Sequence, residues 1–121
     1  NTINFFQPVK NIADKYKESS IYVMSSRYEG FGMVLTEAMA YGVPCVSFDC
    51  PYGPSDIIIH NKNGILVPNH DINGLADGII ILIGNESLRI TMGQDSKKEV
   101  KRFLPEKIVS QWHALFQNLI N

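Results

Sequence analysis

The tetrapeptide Ile21-Tyr22-Val23-Met24 is apolar on both faces, which predicts a strand buried within a parallel sheet rather than a half-exposed one. Residues 43–48 repeat the pattern, and Ile65-Leu66-Val67 repeats it again between the Asn63-Gly64 turn and Pro68. A short apolar stretch, Ile3-Asn4-Phe5-Phe6, stops before Pro8 and predicts a fourth, shorter strand. The segments between follow helical spacing. Ile12 and Tyr16 lie four apart within a helix predicted over 11–18. A second helix is predicted from about 32 to 41, ended by Gly42 and Pro44, and a short one ends at 57–59. Asp71 is placed to cap a helix reaching about residue 83, and another follows over about 86–102. The last helix is predicted over 104–119, with Ile108, Trp112, Leu115, Phe116 and Leu119 along one side, packed on the domain.

Strands alternating with helices imply βαβ units with right-handed crossovers. The fold class is therefore α/β, a Rossmann-like parallel sheet flanked by helices. At 121 residues the chain makes one domain, 1–121. So few strands are thin for a doubly wound sheet, and the sequence opens at Asn1 without a methionine, so we expect the N-terminal part of the domain to lie outside it. Hydrophobic residues at 45% exclude disorder, and a formal charge of -1 offers no net attraction to nucleic acid. The longest aliphatic run, 79–83, falls far short of the roughly 20 apolar residues of a membrane helix. Two cysteines make no disulfide framework and nothing resembles a signal peptide, so a reducing, cytoplasmic interior is the default. Cys45 and Cys50 with His60 and His70 fit no standard zinc spacing; Cys45 reads as strand packing and no metal site is expected.

One charge stands out. From Gly30 to Phe48 the only charged side chain is Glu37, set among Val34, Leu35, Ala38 and Met39. A helix with so few polar positions is buried on most sides, and an unpaired carboxylate there is costly. Thr36 is the only side-chain hydroxyl between Phe31 and Ala40, so donors for Glu37 come from a distant residue or from the hydroxyls of a bound ligand. An exposed helical strip near the helix start is the plain alternative. Upstream, Glu29-Gly30-Phe31-Gly32 lets the chain turn sharply from strand to helix. The turn leaves the amide N–H groups near Gly32, Met33 and Val34 without intrahelical partners, an arrangement suited to phosphate. A tight turn with no ligand is the plain alternative here. In a parallel α/β sheet this turn lies at the carboxyl end of a strand, where such folds bind ligands.

The run Ser26-Arg27-Tyr28-Glu29-Gly30-Phe31-Gly32-Met33-Val34-Leu35-Thr36-Glu37-Ala38-Met39-Ala40-Tyr41-Gly42-Val43-Pro44 closely resembles the hallmark of retaining, sugar-nucleotide-dependent glycosyltransferases of the GT-B fold, the group 1 family. Its defining feature is two glutamates separated by seven residues, matched here by Glu29 and Glu37. The likeness continues through Gly53-Pro54-Ser55-Asp56-Ile57-Ile58, Asn63-Gly64-Ile65-Leu66-Val67, and Asp71 with Leu75-Ala76. The resemblance implies part of the C-terminal domain of a GT-B enzyme, which binds the nucleoside-diphosphate sugar, while an N-terminal domain binds a sugar or lipid-linked acceptor. It implies that Glu29 contacts the transferred sugar near the reacting carbon and that Glu37 accepts from the ribose hydroxyls. The backbone at Gly30, Phe31, Gly32, Met33 and Val34 would hold the diphosphate or sugar. No cofactor is implied: the sugar nucleotide is a substrate, and basic side chains rather than a metal hold its diphosphate. The basic pair that does so lies upstream of the motif, beyond Asn1. A loop glycine near the base is replaced by Gln7-Pro8, and Asp56 stands where glutamate is commoner. The chain alone is therefore expected to lack transferase activity.

Arg89, Lys97, Lys98, Lys101, Arg102 and Lys107 gather in the last third of the chain. Many members of the family work at the inner membrane surface in polysaccharide or glycolipid synthesis, so peripheral contact with anionic headgroups is one reading. Asp95, Glu99 and Glu106 dilute the cluster, and a solvated helix face is the favoured one. A non-catalytic nucleotide-sugar-binding module is the alternative to an enzyme. An NAD-binding dehydrogenase domain is disfavoured, because no Gly-x-Gly-x-x-Gly follows a predicted strand.

Overall fold

In the computed structural model, which describes residues 3–120, short strands alternate with helices. Helix α1 (Ile12–Glu18) leads to strand β1 (Tyr22–Met24), followed by α2 (Met33–Ala40), β2 (Cys45–Asp49), α3 (Pro54–Ile57) and β3 (Gly64–Pro68). Then come α4 (Ile72–Gly84), α5 (Glu86–Glu99), a 3₁₀ turn (Val100–Phe103) and α6 (Pro105–Ile120). The strands form one parallel sheet in the order β1-β2-β3, with Val23 opposite Val46 and Val46 opposite Ile65. This is the α/β architecture that the sequence predicts.

Successive strand residues point to opposite faces, and the core divides accordingly. On one face Met24 and Cys45 pack with Leu35, Ala38 and Met39 of α2 and with Ile57 of α3. On the other, Val46, Phe48, Ile65 and Val67 pack with Leu75 and Leu82 of α4 and Met92 of α5. Fully buried side chains such as Leu35, Ile57 and Leu82 each contribute about 1.5–3 kcal/mol by leaving water. Asp71 caps α4 as expected, accepting from the Gly74 N–H at 2.9 Å, and Asn85 caps α5 in the same way from the Leu88 N–H at 2.9 Å.

Three expectations need correction. Residues 3–6 form no strand; Ile3, Phe5 and Phe6 are exposed, and with no neighbour to pair against, alternation alone cannot satisfy a strand's N–H and C=O groups. The helix predicted over 86–102 is two elements, because the chain tightens after Glu99 into the 3₁₀ turn. That tightening brings the Phe103 ring edge-on to Phe31 at 5.4 Å and lets Arg102 donate to the carbonyls of Asp56 and Ile57 at 2.6 and 3.0 Å. Finally, the apolar side of α6, expected to pack on the domain but with part left exposed because the resemblance has this helix cross toward another domain, is exposed along most of its length. Trp112 is 55% and Leu119 74% exposed, and Trp112 stacks on Phe116 of its own helix at 5.6 Å.

Helix α5 is drawn against the end of α2 at Gly93, where a Cβ would collide with the Gly42 carbonyl oxygen; at Gly84 a Cβ would meet open space. Gly93→Ala is thus expected to destabilise the domain by about 1–3 kcal/mol. Gly84→Ala should leave stability unchanged or raise it by up to about 1 kcal/mol. Calorimetric melting of the two variants checks the contrast.

Candidate donor site

The loop leaving β1 forms no backbone–backbone hydrogen bond from Ser25 to Phe31 among the described residues. Its neighbours hold it instead. The Asn69 side-chain amide donates to the Arg27 carbonyl at 3.3 Å, while the Asn69 Oδ1 is buried with no partner among the described residues. Tyr28 meets Tyr52 edge-on at 6.2 Å, and Phe31 meets Phe103. Gly53, at φ +108°, lies directly against the Phe31 carbonyl, where no Cβ fits. The chain then passes through Gly32 in the left-handed region at φ +90°, a conformation that glycine adopts without steric cost, and enters α2.

This geometry leaves helix-start amides without backbone acceptors at the turn where the sequence suggests an anion site. The Leu35 N–H bonds to the Gly32 carbonyl at 2.9 Å, while the amides of Gly32, Met33 and Val34 find no backbone acceptor among the described residues. They are the free donors at the positive end of α2. Gly30 and the side chains of Phe31 and Met33 are exposed, whereas Gly32 is buried. Glu29, half-buried at the start of the turn, has no hydrogen bond or ion pair among the described residues. Its charge reaches the end of β2: burial first, and Glu29 second, push the Cys50 thiol up from its ordinary value.

Glu37 is half-buried rather than enclosed, and the expected distant donor is Tyr16, whose hydroxyl donates to Glu37 Oε2 at 2.9 Å. Nothing near Glu37 in sequence announces this partner, since Tyr16 lies on α1, before β1. The phenol is 5% exposed, stacked on Tyr41 at 5.7 Å and tilted against Tyr22 at 6.0 Å. Burial first, then the bond to Glu37 and its charge, push the Tyr16 pKa above the ordinary phenol value, so the hydroxyl remains a donor. Gly53, within the run that carries the likeness, and Asn69 brace the loop through contacts that the sequence does not display. A glycine before Pro54 is a visible turn signal, but its contact with Phe31 is not.

Glu29, the free amides and Glu37 thus share one strand–loop–helix unit at the carboxyl end of the sheet. On the α4 side of the same end, a cleft of about 320 Å³ is lined by Ser25, Arg27, Phe48, His70, Ile72 and Leu75. Part of the basic cluster serves the fold. Arg89 donates to the Leu82 and Ile83 carbonyls, Arg102 to those of Asp56 and Ile57, and Lys98 pairs with Asp95 at 3.3 Å. Cys45 is buried in β2 and its thiol is pushed up to about 12 by burial. No group of three His, Cys, Asp or Glu side chains converges among the described residues, and no described helix is long and apolar enough to cross a membrane.

The sequence matches the family model described as glycosyl transferases group 1 over residues 1–99. It is 34% identical to an exopolysaccharide phosphotransferase of Streptomyces coelicolor, covering all of this chain and 13% of that protein. It is 39% identical to the poly(ribitol-phosphate) alpha-N-acetylglucosaminyltransferase of Staphylococcus aureus, covering 84% of this chain and 21% of that one. Among solved structures it resembles a TarM mutant from S. aureus in complex with Fondaparinux, alpha-GlcNAc-glycerol and UDP (TM-score 0.79, 38% identity, 86% of this chain and 21% of that one). It also resembles the C-terminal domain of a glycosyl transferase group 1 family protein from Francisella tularensis (TM-score 0.71, 30% identity, 82% of this chain and 50% of that one). The chain therefore spans a third or less of the length of these curated relatives, 13% of the first and 21% of the second.

The raised Tyr16 pKa has a consequence for stability. The folded protein holds this proton more tightly than the unfolded chain, so the contribution is complete below the ordinary phenol value of about 10 and is lost as pH rises above it. The melting temperature is expected to fall above about pH 10. Tyr16→Phe should flatten that decline, with Tyr22, Cys45 and Cys50, all raised as well, supplying what remains. Melting curves of both proteins between pH 8 and pH 11 (about one unit either side of the range in question) test the sign.

Proposed function

The chain belongs to the group 1 glycosyltransferases, and from that premise we propose that it forms the donor-binding part of an enzyme that moves a hexosyl unit from a nucleoside-diphosphate sugar to an acceptor hydroxyl with retention at the anomeric carbon. Its three-stranded parallel sheet with flanking helices matches the C-terminal domain of GT-B glycosyltransferases. One observation carries the assignment. Two half-buried carboxylates, Glu29 and Glu37, flank the unpaired amides of Gly32, Met33 and Val34 at the carboxyl end of a parallel sheet. That set offers donors to a diphosphate and acceptors to hydroxyls on either side of it, the polarity of a sugar nucleotide. The UDP held by the TarM relative supports the same ligand class.

In this reading Glu37 accepts from the ribose hydroxyls and the amides face the diphosphate. Glu29, unpaired on its loop, accepts from hydroxyls of the transferred sugar. The bond from the anomeric carbon to the phosphate oxygen breaks, its electron pair staying with the nucleoside diphosphate. The acceptor oxygen bonds to that carbon, and the acceptor proton passes to the departing phosphate. Negative charge grows where the helix-start dipoles are already aimed, so little reorganisation is needed as the bond breaks. Acceptor recognition belongs to the complete protein, with a sugar or lipid-linked acceptor and a role in polysaccharide or glycolipid synthesis. The relation to a phosphotransferase favours a second reading, transfer of a phosphoglycosyl unit.

Incubating the complete protein with UDP-, GDP- and ADP-sugars separates the two readings. Release of nucleoside diphosphate and an acceptor product of unchanged anomeric configuration are expected; nucleoside monophosphate would establish the second. Glu29→Ala should lower kcat on the order of 100-fold with little change in nucleotide affinity. Glu37→Ala should weaken nucleotide binding about 10-fold or more, the loss of hydrogen bonds to a charged acceptor. Calorimetric titration and steady-state rates on the same preparations read both effects, and equal losses of affinity in the two variants would contradict the division of roles.

A further inference from the structure

Tyr16 presents an unusual economy. It is the only buried residue of α1, so a single side chain fixes that helix against the sheet, and its hydroxyl is spent on the second glutamate of the motif. An ionised carboxylate offers about four lone-pair sites on two oxygens. In Glu37 the Tyr16 O–H occupies a site on Oε2, while Oε1 receives no hydrogen bond among the described residues. Without the phenol, the carboxylate would turn about its last side-chain torsion, a broad and weakly preferred rotation. With it, one oxygen is anchored and the other is held ready. The Tyr16 ring is wedged between Tyr22 and Tyr41, which leaves the donor itself little freedom.

We propose that Tyr16 is a positioning residue for the nucleotide: it pre-orients the Glu37 carboxylate so that ligand hydroxyls meet a fixed acceptor pair, and thereby sets the preference for ribose over 2′-deoxyribose. The inference rests on the reading of Glu37 given above. Fixing the carboxylate before binding removes a conformational cost that the ligand would otherwise meet. Ring packing and hydroxyl function can be separated, because phenylalanine keeps the first and removes only the second.

The test measures the affinity of the complete protein for UDP and for 2′-deoxy-UDP, with the GDP and ADP pairs used if UDP does not bind. In the natural protein the ribonucleotide should bind better. In Tyr16→Phe its affinity should fall about fivefold to tenfold, while that of the deoxynucleotide, which keeps only the 3′-hydroxyl, falls clearly less, so the preference shrinks. In Glu37→Ala the preference should vanish, and adding Tyr16→Phe to that variant should change nothing further. A preference that survives Tyr16→Phe but not Glu37→Ala would overturn the role of Tyr16 and leave that of Glu37 standing. A preference that survives Glu37→Ala would overturn both. Equal losses for the two nucleotides in Tyr16→Phe would mark Tyr16 as structural only and also overturn the proposal. If Tyr16→Phe does not fold, Tyr16→Met, which fills the same space between aromatic rings without a donor, is read by the same criteria.

Discussion

The backbone contact between Gly53 and the Phe31 carbonyl is the constraint on which the candidate site depends. The loop after β1 has no backbone ladder of its own, so its shape comes from what leans on it. Gly53 also starts α3, whose last carbonyls are capped by Arg102, and the next residue, Phe103, returns to the Phe31 ring. These contacts close a circuit through loop, helix, 3₁₀ turn and loop again. Individually each is worth on the order of 1 kcal/mol. Linked in a ring they constrain one another, because none can shift without opening the next. A side chain at 53 would break the circuit at its tightest point.

The layered fold was readable because its signals are local. Apolar runs bounded by glycine and proline marked β1, β2 and β3, and helical spacing with Asp71 as a cap marked α4. The motif was legible through the family resemblance, whose two glutamates seven residues apart match Glu29 and Glu37. What escaped notice is long-range. Tyr16 looks like any apolar-face residue of a short helix until the fold brings its hydroxyl to Glu37, 21 positions later. Residues 3–6 have a strand's composition but no neighbour, and pairing cannot be seen in a single segment. The division of the helix predicted over 86–102 follows from Arg102 and Phe103 reaching across the domain, which no local propensity encodes.

The two glutamates, each half-buried, leave much of their hydrogen-bonding capacity unmet among the described residues, and each does so differently. Glu37 is half-enclosed and has a single donor, from a neutral phenol. Glu29 has none among the described residues, yet its charge is felt by Cys50 and Tyr22. Natural sequences leave such capacity unmet mainly where function requires it. Desolvating an acid further without new partners would be costly, so any ligand that closes over this site must bring hydroxyls or other donors. The requirement follows from the protein's own unmet hydrogen bonds, and it narrows the ligand class before any substrate is named. Apolar or purely anionic molecules fail it.

Placement also divides the labour. Glu37 sits in the body of α2, where helix geometry and the Tyr16 bond leave its carboxylate few choices; Glu29 sits on a loop clamped from outside. Groups that must hold a fixed shape are best carried on regular elements, whereas groups that meet a reacting centre are often on loops braced by a scaffold. In the proposed reaction the ribose is the same before and after transfer, so a rigid acceptor would suit it. The transferred sugar would change shape and charge, and a carboxylate on a braced loop could follow a small displacement without disturbing α2. The seven-residue spacing between the acids then acquires a physical meaning, being the distance along the chain from a clamped loop, through a left-handed glycine and the free amides at the helix start, to a helical turn stiff enough to hold a fixed acceptor.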